Sequence, residues 1–445
     1  MKRKFEEIID YIEDLQAQNQ LKQGERLPSI RSMAEKFACT KTTVIRAYKE
    51  LESNHKIYSI PKGGYYVLEK MNEVRVSQGA IDFTEVMPDT TLLPYREFTH
   101  CMNRAVEQYK DHLFTYCDPQ GLLSLRKALI GHFADQQIFA CEEDIYITSG
   151  SQQALSILAK MPFPNGKRTI LVEQPTYSLI QKTAELTGEK TIGITRDFNG
   201  IHLDELERIF KNEEVKFFYT MPRFHNPLGT SFSEKDKKRI VALAEKYDVY
   251  IVEDDYLVDL DRQTNVLPAH FYDISGKVIY VKSFSKAFMP GIRLGAVVMN
   301  KALHREFLIH KKCADVNTSV LAQGALELFI NSGMYKKQIR KARLEYGKKM
   351  TCLRECVTHL KTTAIEFAVP DMGFFVWIRL NEKIDRAALI RRLKERNVYI
   401  ASPEKNYIGQ AWDENSYGIC IAKLSTKQIR AGIAMICEEA EVLSL

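Results

Sequence analysis

Lys286 is the residue in this sequence whose surroundings best suit covalent chemistry. It follows a run of β-branched and aromatic residues, 278–281, that predicts a buried strand. A lysine that forms an imine must be partly deprotonated and rigidly held, which suits the end of a strand better than a solvated helix. Ser283 and Ser285 supply hydroxyls nearby and Arg293 supplies a guanidinium, groups that suit a phosphate. A solvated lysine in a turn is the alternative interpretation.

Carboxylate and amide side chains follow another predicted strand upstream. The run 249–252 predicts a buried strand, and it ends in Glu-Asp-Asp-Tyr at 253–256. A carboxylate at this strand end can pair with a protonated ring nitrogen, and either Asp254 or Asp255 could supply it. Asn226 stands in an Asn-Pro-Leu-Gly loop. A solvated acidic turn and an ordinary loop are the alternatives for these two segments.

A turn of small residues leads into a predicted helix near residue 150. The predicted strand 145–148 is followed by Gly150, Ser151 and Gln152. Such a turn exposes backbone N–H groups and the positive end of the helix dipole, which suit a phosphate. A simple helix cap is the alternative.

In chain order, these motifs resemble the class I and II aminotransferases, fold-type I enzymes that use pyridoxal 5'-phosphate (PLP). The resemblance implies that Lys286 forms a Schiff base with PLP. It implies that Asp254, with Asp255 as the alternative, pairs with the pyridine nitrogen. Asn226 and Tyr256 would contact the phenolic oxygen. Tyr177 would stack on the pyridine ring, and Tyr116 would reach the phosphate of the neighbouring subunit. The phosphate ligands would be Ser151, Gln152, Ser283, Ser285 and Arg293.

The first 70 residues follow a different pattern. Three segments have apolar residues at helical spacing: 5–12, 30–37 and 44–51. They precede two short strands joined by a glycine turn, at 57–68. Three helices and a hairpin indicate a winged helix-turn-helix. Residues 25–67 resemble the DNA-binding module of the GntR family, in the LPSxR motif, the Thr-Val start of the recognition helix and the glycine-containing wing.

The charge of this module supports DNA binding. Between Lys22 and Lys62 there are nine Lys or Arg residues and four Glu, whereas the whole chain carries only +6. A compact basic region on a helix-turn-helix suits DNA phosphates. A solvated basic face is the alternative.

The third helix should direct its polar side into the major groove. Lys41 and the threonine hydroxyls can meet base edges or phosphates there. Thr40 could instead cap the helix, which would make Thr42 and Thr43 ordinary first-turn residues. With Arg31 and the wing tip added by the resemblance, the expected DNA contacts are Arg31, Lys41, Thr42, Thr43, Arg46, Lys62 and Gly63.

The length of 445 residues allows a small module and a large α/β unit. We predict a winged helix-turn-helix over 1–70, a linker over 71–82 and a PLP-binding domain over 83–445. The resemblance implies a large doubly wound sheet domain and a smaller C-terminal α+β subdomain from about residue 335.

Several function classes are not expected. Nine cysteines and ten histidines show no metal-ligand spacing, so we expect no metal site and reduced thiols. The N-terminus reads as an amphipathic helix, and no apolar run is long enough to span a bilayer. We therefore expect a cytoplasmic protein without membrane contact.

The fusion of these two parts resembles the MocR subfamily of bacterial transcription regulators. That resemblance implies binding to double-stranded promoter DNA by a head-to-tail homodimer, with PLP or a small amino compound as the sensed signal. A working PLP-dependent aminotransferase with an appended DNA-binding module is the alternative.

One position departs from the aminotransferase pattern. The family places an arginine near the C-terminus that clamps the substrate carboxylate with two hydrogen bonds. In the aligned segment 417–422 that position is Gly418, and Lys423 has no planar fork with which to replace it. Loss of the clamp removes orientation and binding energy, which favours a regulator. Lys286, Asp254 and Arg293 keep the aminotransferase alternative open.

Overall fold

The computed structural model describes residues 3–18, 20–22, 24–53, 56–60, 63–68, 79–261, 266–360, 362–409 and 415–444. The chain forms two compact units, residues 1–78 and 79–445. In these described ranges, no helix combines the length and the apolar character needed to cross a bilayer.

The first unit consists of three helices and a hairpin: α1 (Lys4–Ala17), α2 (Ile30–Lys36), α3 (Lys41–Ser53), β1 (Ile57–Ile60) and β2 (Gly64–Val67). The apolar stripes of the helices form one core, in which Ile8, Met33 and Val44 are almost fully buried. The Ser29 hydroxyl caps α2 by accepting the backbone N–H of Ser32 at 3.1 Å. This is a winged helix-turn-helix, as the sequence predicts.

The second unit begins with a short strand, β3 (Ile81–Asp82), and continues into a large α/β domain. Its helices are α4 (Tyr95–Tyr109), α5 (Leu123–Ala134), α6 (Ser151–Lys160), α7 (Ser178–Thr187), α8 (Leu203–Asn212), α9 (Glu234–Lys246), α10 (Lys301–Asp315) and α11 (Val320–Asn331). Its strands are β4 (Ile145–Thr148), β5 (Thr169–Gln174), β6 (Thr191–Asp197), β7 (Gly200–Ile201), β8 (Val215–Thr220), β9 (Tyr250–Asp254), β10 (Val278–Ser283) and β11 (Gly295–Val298).

These strands form one sheet in the order β4-β11-β10-β9-β8-β5-β6-β7. Strands β10, β9, β8, β5 and β6 pair in parallel, whereas β11 and β7 run antiparallel to their neighbours. The central strands β8, β9 and β10 are buried along their whole length, which explains their continuous apolar runs. Because parallel strands end at the same edge, the loops that follow them converge there.

A smaller C-terminal domain follows the long helix α12 (Met334–His359). It contains β12 (Ile365–Ala368), β13 (Phe375–Leu380), α13 (Arg386–Glu395), β14 (Val398–Tyr399), β15 (Ser416–Cys420) and α14 (Thr426–Ser444). Strands β12, β13 and β15 form an antiparallel sheet, and β14 pairs in parallel with β3. This mixed α/β architecture is the fold class that the sequence predicts.

Residues 79–89, the connecting segment, pack on this smaller domain. The N–H of Ile81 donates to the Asn397 carbonyl and the N–H of Phe83 to the Tyr399 carbonyl, both at 2.9 Å. The Phe83 ring is fully buried in the core of the smaller domain. The segment that follows the first unit in sequence is thus fixed by backbone pairing and by an aromatic anchor.

Candidate functional site

Most of the residues that the sequence predicts to bind PLP line one cavity. Among the described residues, its lining includes Ser151, Tyr177, Asn226, Asp254, Tyr256, Ser283 and Lys286. These residues follow different strands of the large sheet, and the convergence of the strand ends brings them together.

Lys286 lies just beyond β10, and its ε-amino group is held inside the protein. The Nζ atom donates a hydrogen bond of 2.6 Å to the Val86 carbonyl oxygen. Burial lowers the pKa of Lys286, and the charge of Arg293 lowers it further. The neutral amine needed for bond formation is therefore more populated than in a solvated lysine. Lys282, the nearest other lysine in sequence, instead forms a buried ion pair of 2.5 Å with Asp259.

The two adjacent carboxylates of the Glu-Asp-Asp-Tyr segment face different surroundings. Asp255 accepts hydrogen bonds from Arg223 and from Tyr280, so its charge is already compensated. Asp254 lines the cavity, and its Oδ2 accepts the Tyr219 hydroxyl at 2.9 Å. Each aspartate keeps one buried oxygen, Oδ1, without a hydrogen-bond partner among the described residues, so the difference between them is that Asp254 lines the cavity and Asp255 is paired with Arg223. Burial raises the pKa of Asp254 to about 7. This geometry favours Asp254 over Asp255 as the partner of a ring nitrogen.

Two aromatic residues border the same space. Tyr177 immediately precedes α7 and lines the cavity, and burial raises its pKa to about 12. Tyr256 is also in the lining, but its hydroxyl donates to the Phe224 carbonyl at 2.7 Å. Contact with a phenolic oxygen, which the resemblance implies for Tyr256, would require this hydroxyl to change its partner.

Arg293, one of the expected phosphate ligands, lies against the turn that precedes α6. Gly150 adopts a φ of +84°, and a Cβ there would lie 2.8 Å from an Arg293 guanidinium nitrogen. Arg293 itself donates to the Ser149 carbonyl at 3.3 Å. Glycine thus permits the guanidinium to lie against the turn that precedes the helix.

Four of the expected ligands lie outside the cavity lining. The Ser285 N–H donates to the Ser283 hydroxyl at 3.2 Å, and Gln152 donates to the Thr183 hydroxyl at 3.2 Å. Arg293 contacts the turn that precedes α6 through the Ser149 carbonyl. Tyr116 is 86% exposed and is not among the described lining residues of its own cavity.

Sequence reasoning missed much of the opposite wall. The further lining residues are Phe83, Thr84, Val86, Ser178, Met221, Pro227, Phe375, Ala401, Lys405, Asn406 and Cys420. Ser178 could have been found from its position next to Tyr177. The others belong mostly to the connecting segment and the smaller domain, where no local motif marks them.

Gly418 lines this wall and has no room for a side chain. It lies in β15 opposite Trp377 of β13. A Cβ at Gly418 would lie 2.4 Å from the Pro227 Cβ and 2.9 Å from the Pro227 carbonyl oxygen. Lys423, the nearby cation in sequence, forms an ion pair with Glu85. The loop after β8 therefore occupies the space into which a side chain at position 418 would extend.

The first unit presents the expected DNA-contacting residues in different ways. Lys41 and Thr42 are exposed at the start of α3, whereas the Thr43 hydroxyl lies 2.9 Å from the Thr40 hydroxyl. The Thr43 N–H also donates to Thr40 at 3.3 Å, so Thr40 acts as the helix cap. Arg46 is exposed and lies over the Phe5 ring at 4.2 Å.

The remaining expected contacts lie on α2 and the wing. Arg31 is exposed and pairs with Glu35 at 3.2 Å, a solvent-screened contact that leaves the guanidinium able to turn to another anion. Gly63 lies directly before β2, at the wing turn. Lys62 lies outside the described residues.

Comparisons with known proteins support both units. Residues 4–67 match the family described as bacterial regulatory proteins, gntR family, and residues 90–436 match aminotransferase class I and II. An uncharacterized HTH-type transcriptional regulator of Bacillus subtilis, YcxD, is 42% identical over 97% of this chain and 99% of its own length. The aromatic-amino-acid aminotransferase 1 of Thermococcus litoralis is 27% identical over 83% of this chain and 91% of its own. The kynurenine aminotransferase of Pyrococcus horikoshii, solved in complex with PMP, superposes with a TM-score of 0.76 at 26% identity, over 82% of this chain and 92% of that one.

The aminotransferase fold implies PLP as the cofactor, and the residues present fit it. The unpartnered carboxylate oxygen of Asp254 suits a protonated pyridine nitrogen. Lys286 lines the same cavity, and the pKa of its amine is lowered. Tyr177 offers an aromatic face, while Ser151 and Ser283 offer hydroxyls. When bound, PLP supplies an electron sink for the carbon next to an amine. The chain belongs to the MocR type of the GntR family, in which a winged helix-turn-helix precedes a class I and II aminotransferase domain.

Proposed function

We propose that this protein is a transcription regulator whose N-terminal unit binds promoter DNA and whose PLP cavity senses PLP itself or an amino compound. The observation that carries the proposal is Pro227 in the space that an arginine at position 418 would need. The chain has Lys286 and Asp254 in the cavity for the cofactor, and Gly418 at the position that aligns with the arginine that orients an α-amino acid in aminotransferases. Retaining the cofactor without the clamp suits a sensor better than an enzyme.

The connecting segment lines the cavity and follows the first unit in the chain, so it could couple ligand binding to that unit. Phe83, Thr84 and Val86 line the cavity, and Val86 accepts the hydrogen bond from Lys286. A change at the lysine therefore acts on residues that directly follow the first unit. A ligand can alter DNA affinity only through different affinities for two arrangements of the protein, and this segment is the element we propose to differ between them.

We further propose a head-to-tail homodimer that acts in the cytoplasm, where promoter DNA is accessible. The exposed Tyr116 supports this assembly, because a tyrosine that binds the neighbouring subunit's phosphate must project away from its own cavity. Light scattering of the purified protein should give the mass of two chains. A mass of one chain at concentrations that saturate DNA would contradict the dimer.

A working aminotransferase with an appended DNA-binding module is the second candidate. The cofactor residues and the likeness to aminotransferases favour it. It differs from the regulator in one measurable respect, because an enzyme must release product repeatedly. Turnover of an amino acid and a 2-oxo acid at enzyme-like rates, above about 1 per second, would favour this candidate.

The decisive experiment measures binding of the full-length protein to the promoter region beside its own gene. Titrations would be made without cofactor, with PLP, and with PLP plus a series of primary amines, all at one salt concentration, because DNA affinity depends steeply on salt. The proposal expects specific binding that changes with PLP or with an amine. Specific binding that is identical under all three conditions would refute the sensing function, and absence of specific binding would refute the regulator.

A further inference from the structure

With the arginine position closed, the cavity needs another group if it is to recognise an acidic ligand. Lys286 and Lys405 are the two cationic side chains that line it in the described part of the chain. Lys286 serves the cofactor, which leaves Lys405. We propose that Lys405 binds an anionic group on the sensed amine, so that the preferred effector is a primary amine that also carries a carboxylate or another acid. This inference deepens the proposed sensing function.

The position of Lys405 in the cavity wall supports this role. Like Gly418, it belongs to the smaller domain, whereas the expected phosphate ligands Ser151 and Ser283 belong to the large domain. Lys405 therefore comes from the domain that bears position 418, and the expected phosphate ligands come from the other domain. Lys405 is exposed as well as part of the lining, so a ligand can displace water from its side chain.

The backbone that carries Lys405 is firmly held. The next residue, Asn406, accepts the Thr176 N–H at 2.8 Å, and its side-chain amide donates to the Thr176 carbonyl at 2.7 Å. Gln181 of α7 donates to the same Asn406 carbonyl at 2.8 Å. These three bonds fix the turn against the segment that bears Tyr177. A lysine on such a turn has a defined starting point even though its own stem is flexible.

Among the described residues, the neighbouring charges leave the ammonium group of Lys405 available. Glu404, the adjacent carboxylate, pairs with Arg386 at 3.1 Å. Asp254 is the carboxylate in the described cavity lining, and its unpartnered oxygen suits the ring nitrogen. An acid carried by the ligand is therefore the natural partner for Lys405. A lysine also tolerates several ligand lengths, because it acts as a flexible point charge and not as a planar fork.

The test compares matched ligands on PLP-loaded, full-length protein. The probes are β-alanine against n-propylamine and δ-aminovalerate against n-pentylamine, with binding followed by the change in the visible spectrum of the bound cofactor. We expect wild type to prefer the acid of at least one pair by roughly tenfold, the size of one charge-assisted hydrogen bond. Lys405→Ala should lose that preference while its affinity for the plain amine stays the same. Lys383→Ala, an exposed lysine of the same domain outside the cavity lining, should keep the preference.

Charge reversal separates recognition from a merely structural role. Lys405→Glu should prefer the diamine cadaverine over δ-aminovalerate, because its carboxylate would attract the second ammonium group. A preference for acids that survives in Lys405→Ala, or its absence in wild type, would overturn the inference. If Lys405 sets the preference but neither PLP nor any of these amines alters DNA binding, the inference stands and the regulatory function fails.

Discussion

The ε-amino nitrogen of Lys286 lies 2.6 Å from the carbonyl oxygen of Val86, to which it donates a hydrogen bond. Val86 belongs to the connecting segment, which pairs through β3 with the smaller domain. The residue that would bind PLP thus also holds the segment that follows the first unit in sequence. If Lys286 bound the cofactor, its nitrogen would have fewer hydrogens to donate to Val86, so the two contacts would compete.

In cofactor-free protein, Lys286→Ala should loosen the connecting segment. Its backbone N–H groups at Ile81 and Phe83 are protected by bonds to the smaller domain, and they report opening directly. We expect faster amide hydrogen exchange over 81–86 in the variant, measured by mass spectrometry. The amides of the buried strand β8 should be unaffected. Equal exchange over 81–86 in the two proteins would mean that Lys286 does not hold the segment.

Borohydride reduction of PLP-loaded protein should attach the cofactor to Lys286. Its buried position lowers its pKa and provides the neutral amine, whereas Lys282 is tied to Asp259. Lys286→Ala should therefore show neither the visible cofactor band nor the reduced adduct in peptide mass spectra. Lys383→Ala should retain both. An adduct that persists on another lysine in the Lys286→Ala protein would refute the assignment.

Asp254 should make the stability of cofactor-free protein depend on pH in an unusual direction. Burial raises its pKa from 3.8 to about 7, so the folded state holds a proton that the unfolded state releases. The stability that this bound proton contributes is complete below about pH 3.8 and is lost as the pH rises through about 7. In Asp254→Asn the amide oxygen can still accept a hydrogen bond from Tyr219, but the side chain at position 254 no longer titrates.

Urea unfolding at a series of pH values would check this expectation. The free energy of unfolding of Asp254→Asn, relative to wild type, should rise between about pH 4 and 7 and then level off. The same variant should bind PLP more weakly, because a neutral amide does not compensate a protonated pyridine nitrogen. A difference between the two proteins that is constant with pH would contradict the raised pKa.

Gly418→Ala should destabilise the protein even though it adds a single methyl group. The new Cβ would lie 2.4 Å from the Pro227 Cβ, and overpacking of this kind costs about 1–3 kcal/mol. Gly131→Ala is a matched control, because Gly131 lies in α5 and a Cβ there meets nothing within 4 Å. That control should be neutral or stabilising by about 0.4–1 kcal/mol. Equal melting temperatures for Gly418→Ala and wild type would show that the loop after β8 yields easily.

Gly418→Arg is expected not to create an aminotransferase, for the same reason. Its side chain would have to displace the Pro227 loop before it could reach the cavity. Single-turnover measurements with α-amino acids should therefore show no faster conversion than wild type. A gain of steady turnover in this variant would mean that the arginine alone separates the sensor from the enzyme.

The parts of the site that were predictable from sequence are those fixed by local patterns. Asp254 and Ser151 each stand at or just after a buried strand, and strand ends of a doubly wound sheet converge whatever the loops do. The resemblance favoured Asp254 and kept Asp255 as the alternative; the residue pattern alone could not separate them, since the difference depends on Arg223 reaching the second carboxylate from a distant loop. No local pattern predicted that Lys405 lines the cavity either, because its position there depends on the packing of the smaller domain against the large one.

Loss of either Arg31 or Lys41 should weaken DNA binding without touching the cofactor site. Both side chains are exposed on the helix-turn-helix, and the Arg31 contact to Glu35 is a solvated pair that costs little to break. Each alanine variant should lose about 1–3 kcal/mol of operator affinity at fixed salt. A residue that contacts a phosphate should also reduce the slope of log affinity against log salt by about one, whereas a base contact should mainly reduce specificity. PLP absorbance should be unchanged in both variants, and Lys383→Ala should bind the operator as wild type does. Normal operator affinity in the Arg31→Ala, Lys41→Ala double variant would remove this face of the winged helix from the mechanism.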